Sequence, residues 1–70
     1  MKNRLEEFRN LNGWTQQELA DRAEVSRQTI ISLENGRYNP SILLAFRMAN
    51  LFKLKIEELF IYSNEEENNG

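Results

Sequence analysis

Apolar residues recur at helical spacing along most of the chain, and polar or small residues interrupt them at short intervals. In residues 2–11, Leu5 and Phe8 stand three apart among polar neighbours, which predicts a first amphipathic helix stopped by Asn12-Gly13. Thr15-Gln16-Gln17-Glu18 has the spacing of a capping box, with Trp14 and Leu19 set as a hydrophobic staple around it. A second helix then runs from Gln16 to about Ala23, with Leu19, Ala20 and Ala23 inward. Ser26 is a further N-cap, and Val25 and Ile30 are its staple pair. The third helix spans Arg27 to about Glu34 and ends at Asn35-Gly36, where glycine suits a left-handed position.

Asn39-Pro40-Ser41 opens the fourth helix, with Asn39 as cap and Pro40 in the first turn. Leu44, Ala45, Met48, Ala49 and Phe52 form its inward stripe. A last short helix from Ile56 to about Phe60 buries Ile56, Leu59 and Phe60. No stretch shows clear strand alternation. The pattern predicts an all-α domain of five helices over residues 1–62, followed by a disordered acidic tail over 63–70.

Composition narrows the chemistry. A chain of 70 residues makes one small domain, which buries only about 60% of the surface its unfolded form exposes. Cysteine and histidine are absent, which removes disulfides, thiolate metal sites and the commonest general base. Glu6-Glu7 and Glu57-Glu58 are adjacent on their helices and point apart, so they are solvated faces and not a catalytic pair. No enzyme, metal or cofactor is expected. No run approaches the ~20 apolar residues of a membrane span, and no secretory signal core is present. The expected location is the cytoplasm.

The net charge of −2 conceals an asymmetry. Glu65, Glu66 and Glu67 lie in the tail, and without them the chain is at +1. Residues 22–55 carry Arg22, Arg27, Arg37, Arg47, Lys53 and Lys55 against only Glu24 and Glu34, a local charge of +4. Such a balance permits an anionic partner without requiring one.

The second and third helices, joined through residues 24–26, define a helix-turn-helix, with small Ala20 allowing close approach. Ile30 and Leu33 anchor the third helix, which leaves Arg27, Gln28, Ile31, Ser32 and Asn35 as an outward stripe. These side-chain types suit base reading in double-stranded DNA: Arg27 toward guanine, Gln28 toward adenine, Ile31 toward a thymine methyl, and Ser32 either way. The alternative is an ordinary solvated face, on which a lone exposed isoleucine is unremarkable. Thr15, Gln16 and Gln17 at the start of the second helix, and Asn35, Arg37 and Tyr38 after the third, are candidate contacts to the DNA backbone. The alternative is that the capping box uses all of the amides at the start of the second helix. Arg9 and Glu34 each flank a core-facing stripe and are expected to form a buried ion pair. Leu43 and Phe46 make the fourth helix apolar around much of its circumference, and Ile61 and Tyr62 continue the apolar run after Phe60. A homodimer through these four residues is expected. The alternative is that Phe46 and Leu51 complete the monomer core.

Residues 4–60, about four-fifths of the chain, resemble the Xre-like, Cro/repressor-type helix-turn-helix regulators of bacteria and phages. The matching segments are Arg9, Gly13-Trp14-Thr15-Gln16, Glu18-Leu19-Ala20, Val25-Ser26-Arg27-Gln28-Thr29-Ile30, Leu33-Glu34-Asn35-Gly36, Pro40-Ser41 and Ile56-Glu57-Glu58-Leu59-Phe60. The resemblance implies a compact five-helix, lambda-repressor-like domain that binds DNA as a dimer. It implies a phosphate contact by Gln16, a major-groove face at Arg27, Gln28 and Ser32, and the Arg9–Glu34 pair. Three positions depart from the family pattern: Glu24 and Lys53 where glycine is usual, and Lys55 where a serine cap is usual. A positive φ at Glu24 would carry strain of order ~1 kcal/mol. With no segment that reads as an activation or sensor domain, repression by occupying an inverted-repeat operator is the expected activity. A protein-interaction module on the same fold, antitoxin-like or adaptor, is the other reading.

Overall fold

The computed structural model describes residues 2–61. Its order is β1 (Lys2–Asn3), α1 (Leu5–Leu11), α2 (Gln16–Ala23), α3 (Arg27–Glu34), α4 (Ile42–Phe52), α5 (Ile56–Leu59) and β2 (Phe60–Ile61). All five helices expected from the hydrophobic pattern are present, with different bounds at α1, α4 and α5. Tyr62 and the expected tail at 63–70 lie outside the described residues.

Local chemistry explains the starts. Thr15 Oγ1 accepts from the Glu18 amide at 3.0 Å, and Glu18 Oε1 accepts from the Thr15 amide at 2.9 Å, so the capping box is complete. Ser26 Oγ accepts from the Thr29 amide at 3.2 Å and caps α3. The start of α4 is corrected: the cap is Ser41, whose Oγ accepts from the Leu44 amide at 3.1 Å, and not Asn39 with Pro40 in the first turn. The hydroxyl at Ser41 is the one that reaches the third amide of the helix. Lys55 offers no side-chain acceptor, and only the return half of a box forms, from the Lys55 amide to Glu58 Oε1 at 2.8 Å.

The stops share one geometry. After each of α1 to α4 a left-handed residue follows, at Gly13 (φ 71°), Glu24 (φ 60°), Gly36 (φ 73°) and Lys53 (φ 57°). The next amide then turns back five residues: Trp14 to the Arg9 carbonyl, Val25 to Ala20, Arg37 to Ser32 and Leu54 to Ala49, all at 2.9–3.1 Å. This is the Schellman ending, in which backbone carbonyls left over by the helix find donors. Two of the four endings use a residue with a Cβ where glycine is favoured.

The two chain ends add something that periodicity does not reveal. Lys2 pairs with Ile61 and Asn3 with Phe60 in a short antiparallel ladder. The first helix therefore starts at Leu5 rather than residue 2, and the last ends at Leu59 rather than Phe60. Asn3 fixes the turn between strand and helix: its Oδ1 accepts from the Leu5 amide at 3.0 Å, and its Nδ2 donates to the Leu33 carbonyl at 2.7 Å. A two-residue strand is too short to show alternation.

The core lies between the helices. Leu5, Leu19, Ala20, Ala23, Ile30, Leu33, Met48, Ala49 and Leu59 are essentially inaccessible, with Leu44, Ala45 and Phe60 nearly so. Phe8, Trp14 and Phe52 seal one side, with Phe52 centred 6.1 Å from Phe8 and 5.3 Å from Trp14. Arg22 lies over the Trp14 ring at 4.3 Å. Arg47 of α4 donates to the Ala23 carbonyl at 2.9 Å, which ties α4 to the end of α2 just before the turn.

Candidate nucleic-acid interface

Helix α3 is held from behind and open in front. Ile30 and Leu33 are fully buried, so the rotation of the helix about its axis is fixed by the core. Arg27 and Gln28 are exposed in its first turn, and Ile31 and Ser32 are half-buried one turn later. The four predicted base-reading residues thus share one side of one helix, with Ile31 more sheltered than a fully outward position would be. Gln28 and Ser32 also line a shallow depression with Ser26, Thr29, Arg37 and Tyr38.

Arg37 and Tyr38 are exposed and reach this depression from beyond the C-terminal end of α3. Asn35, the residue after α3, is exposed too, and its amide donates to the Ile31 carbonyl at 3.0 Å. Ser26 and Thr29 were missed by the outward-stripe argument. Their hydroxyls lie 2.9 Å apart at the start of α3, and the i, i+3 spacing of two hydroxyl residues was the signal available.

At the start of α2, Thr15 is engaged in the capping box with Glu18. The box uses the amides of Thr15 and Glu18, whereas those of Gln16 and Gln17 belong to the first turn, which no earlier helical carbonyl serves. Gln17 is exposed, and its Nε2 donates to Asp21 Oδ1 at 2.9 Å along the helix. Gln16 is half-buried, and its Nε2 donates to Glu34 Oε1 at 3.1 Å.

That bond joins Gln16 to the predicted ion pair. Arg9 Nε donates to Glu34 Oε2 at 2.6 Å and Nη2 to Oε1 at 3.3 Å. The third donor of Arg9, Nη1, reaches the Trp14 carbonyl at 2.9 Å. The carboxylate therefore knits α1 and the first residue of α2 to the end of α3, and Arg9 extends the network to Trp14 before α2. The hydrogen bonds that Arg9 donates to Glu34 hold its guanidinium above its ordinary pKa, against the opposing effect of burial.

Phe46 is 54% exposed and Leu43 is 67% exposed, so Phe46 does not complete the monomer core, whereas Leu51 is half-buried against it. Phe46 stands between two shallow grooves, one bordered by Leu43, Arg47, Asn50 and Leu51 and the other by Ala49, Leu54, Lys55 and Ile56. Ile61 is exposed, and Ile42 adds a further exposed apolar side chain that the sequence argument missed. Among the described residues no group of acidic side chains could hold a metal ion, and no helix is long and apolar enough to cross a membrane.

A helix-turn-helix family model matches residues 5–59, from the first core leucine to the last. The chain belongs to the helix-turn-helix family of transcriptional regulators. It is 52% identical over 66 residues to an HTH-type transcriptional regulator of Methanocaldococcus jannaschii, covering 94% of this chain and 100% of that protein. It is 38% identical over 65 residues to the competence pilus inhibition repressor of Acinetobacter baylyi, covering 90% of this chain and 57% of the repressor. The fold is similar to that of the restriction-modification controller protein C.AhdI from Aeromonas hydrophila, with a TM-score of 0.74, 30% identity, and coverage of 81% and 86% of the two chains. The relatives are archaeal as well as bacterial, so the resemblance is wider than the bacterial and phage regulators named from sequence. This regulator is a DNA-binding protein and not an enzyme.

Proposed function

We propose that this regulator is a repressor that occupies an inverted-repeat operator as a homodimer, with each α3 lying in a major groove. The observation that carries the proposal is the face of α3, where exposed Arg27 and Gln28 precede half-buried Ile31 and Ser32 on a helix locked to the core by Ile30 and Leu33. In this reading Arg27 donates two bonds to guanine, Gln28 pairs with adenine, Ile31 meets a thymine methyl, and Ser32 bonds to a neighbouring base edge. Thr15, Gln16 and Gln17 engage phosphates on one side of the groove, and Asn35, Arg37 and Tyr38 engage them on the other. The local charge of +4 over residues 22–55 supports such contacts despite the overall charge of −2.

The homodimer reading rests on Leu43 and Phe46, which leave an apolar surface on α4. Repression is supported by the relative in Acinetobacter baylyi, a competence pilus inhibition repressor. The regulator then works where chromosomal DNA is, in the cytoplasm. The same exposed apolar surface also favours a second reading, an interaction module that docks another protein. Salt separates the two: binding through ~6–10 phosphates weakens by about 10³–10⁵ between 50 and 200 mM salt, whereas an apolar protein interface changes little.

The experiment is selection of bound duplexes from a random DNA pool at about 100 mM salt, with Arg27→Ala/Gln28→Ala beside the parent. Enrichment of an inverted repeat that vanishes in the double variant is the expected result. Folded parent protein that enriches nothing would overturn the proposal in favour of the interaction module.

A further inference from the structure

We infer that Glu34 is a positioning residue for DNA binding, which orients the Gln16 amide toward the phosphate backbone and couples the buried ion pair to the DNA surface. The inference rests on the reading of Gln16 as a phosphate contact.

The chemistry of the amide carries the argument. A carboxylate only accepts, so the group of Gln16 that faces Glu34 Oε1 at 3.1 Å is the NH₂ and not the carbonyl. An amide NH₂ has two hydrogens, and Glu34 takes one. The other remains for a phosphate oxygen, on the side of the first turn of α2 where backbone amides also point outward. Without Glu34 the amide is free to rotate and to present its carbonyl, which repels a phosphate. With Glu34 the donor is set before DNA arrives, and less side-chain freedom is lost on binding.

A bare carboxylate at this place would itself repel DNA. Here it does not, because Arg9 neutralises it through two bonds and the Glu34 side chain is only 5% exposed. The same carboxylate ends α3, and the exposed Asn35 and Arg37 follow within three residues. The network therefore also sets the distance between the two segments assigned to the backbone.

The test is a cycle of four proteins: the parent, Gln16→Met, Arg9→Met/Glu34→Leu, and the triple variant. Replacing both partners by apolar residues avoids stranding a buried charge. Binding is read by anisotropy on a labelled mixed-sequence duplex of about 30 base pairs at about 50 mM salt, where phosphate contacts dominate. Gln16→Met is expected to weaken binding about tenfold. Replacing the ion pair should weaken the parent by a comparable factor and leave the Gln16→Met protein nearly unchanged, because coupled residues are not additive. An equal loss in both backgrounds, or no loss in the parent, overturns the positioning role while keeping the phosphate contact. Parent-like binding by Gln16→Met overturns the phosphate contact itself, and the inference with it. Should the ion-pair replacement not fold, side-chain amide relaxation in the parent decides. A Gln16 amide as ordered as the backbone supports the inference, and one as mobile as that of exposed Gln28 overturns it.

Discussion

Arg9 and Glu34 meet 25 residues apart in sequence, Nε to Oε2 at 2.6 Å, with their side chains only 10% and 5% exposed. Two charges so far from water are tolerated because their remaining hydrogen-bonding positions are also filled, by the Trp14 carbonyl and the Gln16 amide. No buried side-chain nitrogen or oxygen among the described residues lacks a partner.

Removing one partner is far worse than removing both. Arg9→Met leaves the Glu34 carboxylate buried without its cation, and the expected loss is about 3–5 kcal/mol. A domain of this length has roughly 4–10 kcal/mol in all, so the variant should lose about a third or more of its stability. Arg9→Met/Glu34→Leu should recover most of the loss. Urea midpoints for the parent, single and double variants measure both. A single-variant loss below ~1 kcal/mol would mean that the pair behaves like a surface ion pair.

The helix endings give a prediction of opposite sign. Glu24 and Lys53 hold left-handed backbone at φ 60° and 57°. A residue with a Cβ pays about 1–2 kcal/mol there, and the greater freedom of unfolded glycine offsets about 0.5–1 of it. Glu24→Gly and Lys53→Gly should therefore each raise stability by up to about 1.5 kcal/mol. Gly13→Ala should do the reverse: no atom lies within 4 Å of the added methyl, so only the strain at φ 71° opposes it. Thermal midpoints check all three. A gain at neither Glu24 nor Lys53 would show that the side chains make compensating interactions.

These endings illustrate what was legible in the sequence. Caps, glycines and periodicity are local signals, so α2 and α3 begin and end where Thr15, Ser26 and Gly36 place them. The strain at Glu24 was legible only through the family resemblance, because nothing in a glutamate announces a left-handed residue. Among contacts between distant segments, Arg9–Glu34 was legible because each charge flanks a core-facing stripe, whereas uncharged partners leave no such trace. The Asn3–Leu33 bond, the Arg47–Ala23 bond and the Gln16–Glu34 bond all span more than 15 residues. The start of α4 failed for a different reason: Asn39 and Ser41 are both good caps two positions apart, and propensity alone does not choose between them.

Acid should loosen the start of α2. Hydrogen bonds from Thr15, chiefly from its backbone amide, hold the Glu18 carboxyl below its ordinary pKa. The folded state thus binds a proton less readily than the unfolded chain. The stabilisation is present above the unfolded value near 4.5 and is lost as pH falls through the lower folded value. Glu7, lowered by its pairing with Arg4, acts in the same direction at the surface. Glu18→Gln keeps an acceptor for the Thr15 amide and does not titrate. Its stability should fall less steeply than the parent's below pH 4.5 in urea titrations at stepped pH. Parallel acid limbs would show that Glu18 does not contribute to this dependence.

The proposed operator recognition depends on assembly, which is open to direct test. Leu43 and Phe46 leave more than half of their surface to solvent, and Phe46 divides two shallow grooves. A second copy would insert its own Phe46 into one of those grooves, and a two-fold axis repeats the contact with the same residues. Such a dimer removes from water the apolar area that a small core leaves uncovered, at about 25 cal/mol per Å². Operator recognition as proposed also requires the two α3 helices to fall on one face, matching half-sites about 34–36 Å apart. Phe46→Glu places a charge at the centre of the contact and leaves the monomer core untouched, because that side chain packs outside it. Sedimentation at about 100 µM should give the mass of two chains for the parent and of one for Phe46→Glu, a loss of at least tenfold in association. Binding to a paired operator should fall with it, while contact with a single half-site persists at high protein concentration. A parent that sediments as one chain at that concentration would remove the homodimer from the proposed function. Phe46 would then be the first position to probe for the docking of another protein.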